Sequence, residues 1–218
     1  SAERNIISGN GNWGVRIQDA GTENITVAGN YIGTNKDGTA AVANAIDGIL
    51  IFSNAKANLV GTNGDGVNDA AERNLLSGNS QRGIRIQSAQ NNTVAGNFIG
   101  TDVTGLAGLG NALEGVLIFS GSVSNTIGGT SSQGNLIAFN RSAGIAVQDT
   151  ATANPILSNA IFANTGIGID LNSDGVTRND ANDADAGPNA LLNFPVITGA
   201  ALSSNGTLLT LTGFARPG

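Results

Sequence analysis

The sequence predicts an all-β protein wound as a right-handed parallel β-helix, a solenoid of about five to six coils with three short strands each. Three observations lead to this fold class. Short apolar strands opened by glycine recur along the chain, asparagine recurs just before short aliphatic runs, and a long segment is present twice.

The long repeat is visible in two pairs of nearly identical stretches. Residues 2–10 read AERNIISGN and residues 71–79 read AERNLLSGN, while VAGNYIGT at 27–34 returns as VAGNFIGT at 94–101. A period of about seventy residues is too long for one structural unit of a solenoid. We therefore interpret it as two coils that carry unlike loops and are duplicated as a pair.

The elementary unit is a four-residue strand opened by glycine. Its instances are GVRI (14–17), GILI (48–51), GIRI (83–86), GVLI (115–118), GIAV (144–147) and GIGI (166–169). Between them the chain repeats asparagine followed by aliphatic residues, as in NTV at 92–94 and NFI at 97–99. Each interval thus holds three short strands, which is one coil of a parallel β-helix with neighbouring coils about 4.8 Å apart.

Alternation along each strand predicts which side chains face the core. In GVRI, Val15 and Ile17 point inward and Arg16 points outward. Asparagine is expected at the corners, where it tolerates left-handed backbone and its amide can bond the asparagine of the next coil. Stacking of the coils predicts one inward aliphatic column, formed by Val15, Ile49, Ile84, Val116, Ile145 and Ile167.

The longer coils carry loops at two corners. Residues 35–47 and 102–114 are predicted to follow the third strand of their coils, and residues 61–73 and 128–134 to lie between second and third strands. These insertions explain why the intervals between the opening glycines are unequal.

The domain organisation changes after the last coil. The sequence predicts a β-helix over residues 1–175, an acidic linker over 176–192 and a β tail over 193–218, in which two strands flank a Ser-Ser-Asn-Gly turn. Two strands alone do not make a stable domain. The tail is therefore expected either to cap the coil stack or to begin a following β-sandwich module.

Composition argues against several classes of partner and reaction. The net charge is −6 and no run of Lys or Arg occurs, so a nucleic-acid partner is not expected. No apolar stretch has membrane-spanning length, so membrane insertion is not expected. The chain has no His and no Cys, which removes thiol nucleophiles, the usual triads and His-based metal sites.

A ligand-binding face is predicted on the outward side of the glycine-opened strands. Two Leu-Phe pairs, two coils apart, alternate there with Arg and Gln, and together they would form an apolar patch. Either the protein's own loops or tail cover this patch, or it binds a surface protein or a polysaccharide whose sugar stacks on the rings. The predicted face consists of Arg16, Leu50, Phe52, Arg85, Gln87, Leu117 and Phe119.

The acidic segment after the last coil predicts calcium as a cofactor. Calcium takes six to eight oxygen ligands, often from flexible acid-rich loops. A solvated acidic linker is the alternative interpretation of the same residues. The predicted ligands are Asp174, Asp180, Asn182, Asp183 and Asp185.

The repeated pattern RNIISGN, GVRI, NYIGT and GILI resembles the right-handed parallel β-helix repeats of the pectin-lyase-like superfamily. It is more closely similar to the Asn/Gly-rich repeats of large bacterial secreted and surface proteins. The resemblance implies an extracellular or cell-surface location and a scaffold or adhesin-like role.

The same superfamily contains polysaccharide lyases, hydrolases and epimerases, so a polysaccharide-active enzyme is one alternative. Its pectinase-type Asp clusters, with their His and Lys positions, have no match in this sequence. Arg16 and Arg85 are candidates for a cationic base, but outward arginines on a solvated face are the favoured interpretation, and no catalytic residue is assigned. A self-assembling fibre subunit, with end-to-end association of copies, is a second alternative.

Overall fold

The computed structural model describes residues 4–214 and shows a parallel β-helix followed by an antiparallel hairpin. Successive strands join three parallel sheets in turn, as the three-strand coil predicts. Sheet 1 contains β1 (Ile6–Ile7), β4 (Tyr31–Ile32), β7 (Leu75–Leu76), β10 (Phe98–Ile99), β13 (Leu136–Ala138) and β16 (Ala160–Phe162). Sheet 2 contains β2 (Val15–Gln18), β5 (Ile49–Phe52), β8 (Ile84–Gln87), β11 (Val116–Phe119), β14 (Ile145–Val147) and β17 (Ile169–Leu171). Sheet 3 contains β3 (Thr26–Val27), β6 (Leu59–Gly61), β9 (Thr93–Ala95), β12 (Thr126–Gly128) and β15 (Ile156–Leu157).

The strand register confirms the fold class and, for five coils, the predicted inward column. Sheets 1 and 2 have six strands and sheet 3 has five, in agreement with five to six coils. The last coil differs from the prediction by two residues, because Ile145 pairs with Ile169 and not with Ile167. Gly168 therefore takes the place of the opening glycine, and its carbonyl accepts a hydrogen bond from the Ile145 N–H at 2.9 Å. The sequence GIGI contains the Gly-Ile pair twice, so its pattern fits either register.

The core is almost purely aliphatic. Its fully buried side chains include Ile49, Ile84, Ile99 and Ile137, which stack from coil to coil. Burying one such side chain stabilises the fold by about 1.5–3 kcal/mol. Because every coil repeats this burial, the coil stack rather than any single segment holds the structure together.

Asparagine ladders bond the coils to one another at all three corners. In each step the Oδ1 atom accepts a hydrogen bond from the Nδ2 of the asparagine one coil earlier, and in every step except Asn44 to Asn79 it also accepts one from that residue's backbone N–H. Most ladder amides are buried, so these bonds satisfy groups that water cannot reach. The ladder before sheet 1 contains Asn5, Asn30, Asn74, Asn97, Asn135 and Asn159. The ladder before sheet 2 contains Asn10, Asn44, Asn79, Asn111, Asn140 and Asn164. The ladder before sheet 3 contains Asn58, Asn92, Asn125, Asn154 and Asn189.

The third ladder is irregular at both ends. It begins one coil late, because Ile25 stands at the ladder position and only its backbone N–H bonds the Oδ1 of Asn58. At the other end Asn189 continues the ladder from within the segment 176–192, and its backbone N–H donates to the Ala151 carbonyl at 2.9 Å. Part of the acidic segment thus packs on the last coils.

Loops and tail follow the predicted positions. The loop 61–73 contains the short helix α1 (Asp69–Glu72), and the acidic segment contains two short 3-10 helices, Ala181–Asp183 and Pro188–Leu191. The tail forms strands β18 (Val196–Leu202) and β19 (Leu209–Phe214), which pair antiparallel around the predicted turn. The division of the chain into β-helix, linker and tail stays a prediction. No helix within residues 4–214 combines the length and apolar character that a bilayer crossing requires.

Candidate functional site

The predicted binding residues lie together on the outer face of sheet 2. Parallel pairing places Arg16, Leu50, Arg85 and Leu117 side by side on four successive strands. The same register aligns a second outward row of Gln18, Phe52, Gln87 and Phe119. The outward direction of these side chains follows from alternation, since their neighbours Ile17, Ile51, Ile86 and Ile118 are core residues.

The two leucines on this face are buried by the chain itself. Leu50 and Leu117 are each only 3% exposed. Leu117 belongs to a small separate cluster with Ala143 and Ala146, and Phe119 packs against that cluster. Of the two alternatives for the Leu-Phe patch, cover by the protein's own chain therefore applies to the leucines. The rings of Phe52 and Phe119 are half-buried and keep part of their surface open.

A buried ion cluster borders this face, and sequence reasoning missed it. The residues directly before the opening glycines of three successive coils, Asp47, Arg82 and Glu114, stack as a column. The N–H of Gly48 donates a hydrogen bond to the Arg82 carbonyl, and the N–H of Gly83 donates one to the Glu114 carbonyl. In this column Arg82 Nε lies 2.8 Å from Glu114 Oε2, and Arg82 Nη1 lies 3.7 Å from Asp47 Oδ1. The partners are more than thirty residues apart in the chain, so only the coil register brings them together.

Asp47 is the centre of the cluster. Its side chain is fully buried, its Oδ2 lies 2.9 Å from Arg85 Nε, and the same oxygen accepts a hydrogen bond from Trp13 Nε1 at 3.2 Å. Burial raises the pKa of Asp47, and the guanidinium groups of Arg85 and Arg82 oppose that rise only in part. The carboxylate is therefore enclosed and unable to reach a solvent-borne substrate.

The two outward arginines of the face differ in character. Arg85 forms an ion pair with Asp47 and its side chain is only 18% exposed, so the expectation of a solvated arginine is wrong for this residue. Arg16 is exposed, and its guanidinium carbon lies 4.9 Å from the centre of the Trp13 ring, within the range of a cation–π contact. Of the two, only Arg16 is exposed to solvent.

The acidic segment brings together three of the five predicted calcium ligands. Carboxylate oxygens of Asp180, Asp183 and Asp185 all lie within 4.8 Å of one another. Asp174 is not part of this group and accepts a hydrogen bond from Asn172 at 3.1 Å. Asn182 lies between the first two acids, in a turn where its φ is 62°.

The oxygens of this acidic group differ in their environment. Asp180 Oδ2 accepts the Ala184 N–H at 2.9 Å, and Asp183 Oδ1 accepts the Asn193 N–H at 2.7 Å. Asp185 Oδ1 is buried and accepts no hydrogen bond from the described residues. A buried carboxylate oxygen without a donor is costly unless a cation or water compensates it.

The outer face of sheet 1 carries two Arg-aromatic stacks that were not predicted. Arg4 lies 4.1 Å above the Tyr31 ring, and Arg73 lies 4.1 Å above the Phe98 ring. Arg4 and Arg73 occupy the same place in the two copies of the AERN repeat. A sequence signal for these stacks exists. In both copies an arginine directly precedes one ladder asparagine, and an aromatic residue directly follows the ladder asparagine of the next coil.

The C-terminal end of the coil stack is apolar. Ile169 is 42% exposed there and, with Ile167, Leu171, Val176, Leu192 and Phe194, lines a cavity of about 510 Å³. Part of the segment after the β-helix thus lies against its last coil.

Comparison with known proteins gives no relative: no family model, no curated protein and no solved structure matches the chain.

Proposed function

We propose that the chain is a non-catalytic scaffold segment of a bacterial extracellular or cell-surface protein, adhesin-like, of the pectin-lyase-like β-helix type. The outer face of sheet 2 is its contact surface for a polysaccharide or a surface protein. The observation that supports this proposal best is the pair of half-buried aromatic residues, Phe52 and Phe119, in one row with Gln87 between them.

The row of side chains suits a linear ligand that runs along the coil axis. The two rings stand two coils apart, which is roughly 10 Å at about 4.8 Å per coil. A flat ring packs well against the CH groups of a sugar, and the Gln87 amide offers both donors and an acceptor to hydroxyl groups. Regular stacking of the coils keeps this row straight and pre-organised.

A non-catalytic role is supported by the ion pairs and burial of Asp47 and Glu114, the acidic residues of the ion cluster that borders the face. A general acid or base must come within hydrogen-bond reach of the reacting atom. Asp47 is enclosed between arginines, and Glu114 is held by Arg82 at 2.8 Å and by the Ser142 hydroxyl at 3.3 Å. Neither carboxylate is placed for proton transfer to a ligand on the face.

The double variant Phe52→Ser/Phe119→Ser is expected to lower glycan affinity by about tenfold or more, because both rings would lose their packing area. Binding to a glycan array, followed by calorimetry on the best glycan, measures the change. Phe162→Ser is the matched control, since this ring is exposed on sheet 1, and it should bind as the wild type does. Unchanged affinity in the double variant would refute the contact face, and cleavage of the glycan would support the enzyme alternative instead.

We further propose that calcium stabilises the acidic segment through Asp180, Asp183 and Asp185. Calcium binding to the folded state alone raises the melting temperature, so chelator should lower it, and calorimetry should record binding heat. Asp185→Asn should weaken binding, whereas Asp174→Asn, outside the group, should not. No heat with calcium, together with an unchanged melting temperature in chelator, would dismiss this site.

A further inference from the structure

Two arginines on the outer face of sheet 1 are fixed by neutral groups of the protein. The Nε of Arg4 donates to the Gly29 carbonyl at 3.3 Å, and the Nε of Arg73 donates to the Gly96 carbonyl at 3.0 Å. Both acceptors lie one coil further on. The duplicated sequence therefore builds the same arrangement twice, two coils apart.

Aromatic rings fix the planes of the same two groups. The guanidinium carbons of Arg4 and Arg73 each lie 4.1 Å from a ring centre, over Tyr31 and Phe98 respectively. A guanidinium that stacks on a ring and donates through Nε has little freedom left. Its two Nη atoms then point in a defined direction.

Those Nη atoms have no protein partner within residues 4–214. Neither arginine forms an ion pair there, and the only hydrogen bond of each is the one through Nε. The carboxylate of Glu72, the sequence neighbour of Arg73, accepts the Asn63 N–H at 3.2 Å instead. Burial lowers the pKa of Arg73, because a partly desolvated cation without a counter-ion is disfavoured.

Both arginines line one small cavity. Its volume is about 80 Å³, and its other walls are Tyr31, Leu75, Phe98, Ala70 of α1 and Val103 of the loop 102–114. One water molecule needs only about 10–15 Å³ of such space, so the cavity has room for a group larger than a single water. A small oxyanion is such a group.

We propose that this cavity is an oxyanion site, in which the Nη groups of Arg4 and Arg73 bind a sulfate, phosphate or carboxylate group. Guanidinium groups bind such oxyanions through pairs of parallel hydrogen bonds. The group is either a free ion or part of an anionic polymer. The site lies on sheet 1 and does not depend on the proposed contact face of sheet 2.

Calorimetry at fixed ionic strength tests the site with sodium sulfate and with dextran sulfate, using neutral dextran as the blank. Arg4→Gln and Arg73→Gln should each lower the affinity about tenfold or more, because each removes a charge-assisted pair of donors. Arg141→Gln is the matched control, since Arg141 is an exposed arginine whose side chain has no ion pair to the described residues and belongs neither to this cavity nor to the contact face of sheet 2. It should bind sulfate groups as the wild type does.

The outcomes separate the sources of the oxyanion and decide the proposal. Arginine-dependent binding of sodium sulfate supports a free ion, and arginine-dependent binding of dextran sulfate alone supports a polymer-borne group. No heat with either probe overturns the proposal, as does an equal loss in Arg141→Gln, which would indicate only diffuse attraction. If Arg73→Gln lowers the melting temperature, the anion affinity of Arg4→Gln decides whether the site exists, because Arg4 is exposed. Arg73→Lys then tests whether binding needs the planar guanidinium group of arginine.

Discussion

Replacing Asn111 by alanine is expected to lower the free energy of unfolding by about 3–5 kcal/mol, since several buried polar groups lose their partners together. Asn111 is fully buried, and its Oδ1 accepts the backbone N–H and Nδ2 of Asn79 at 3.1 and 2.9 Å. Its own Nδ2 donates to the Leu76 carbonyl at 3.0 Å and to Asn140 Oδ1 at 2.9 Å. Denaturant unfolding of the variant and the wild type measures the difference.

Two further variants show whether the ladder is the cause. Asn12→Ala removes an exposed asparagine whose side chain makes no hydrogen bond to the described residues, and it should leave stability within about 0.5 kcal/mol. Asn111→Asp keeps the acceptor but loses the donor and buries a charge, so it should also destabilise. A cost for Asn111→Ala close to that of Asn12→Ala would contradict the ladder as a source of stability.

Replacing Gly61 by alanine is expected to cost about 3–5 kcal/mol, the sum of backbone strain and steric conflict. Gly61 has a φ of +108°, and a Cβ atom there would lie 1.8 Å from the Ala95 carbonyl oxygen of the next coil. Because that oxygen belongs to the backbone, two coils would have to separate to relieve the contact. Thermal and denaturant unfolding measure the loss.

Gly66 provides a control with the same type of backbone but open space. Its φ is +83°, and a Cβ atom there would meet nothing within 4 Å. Gly66→Ala should therefore show only the strain of the left-handed conformation, about 1–2 kcal/mol. Equal losses for the two variants would mean that close coil contact at Gly61 is unimportant.

Much of this fold could be predicted from the sequence because a solenoid repeats its local rules in every coil. Opening glycine, corner asparagine and alternating aliphatic residues recur with each coil, so one coil predicts the next. The predicted inward column was wrong only in the last coil, where Ile169 takes the place of Ile167 because the doubled Gly-Ile pair fits two alignments. Insertions such as 35–47 were recognised because the pattern resumes unchanged after them.

The site could be predicted only in part, because its contacts join residues of different coils. The outward row of Phe52, Gln87 and Phe119 follows from register alone, and it was predicted. The Asp47–Arg85 ion pair was not, since it joins the end of a loop to a strand of the next coil. The burial of Leu50, which is 3% exposed, likewise does not follow from alternation, which places its side chain on the outer face.

The measurement that tests the proposed contact face most directly is side-chain footprinting by carbene labelling, with and without the best-binding glycan from the array. We expect Phe52 and Phe119 to be labelled in the free protein and protected in the complex, and Phe162 on sheet 1 to be labelled equally in both. Protection confined to other surfaces, with Phe52 and Phe119 labelled alike in both states, would contradict it.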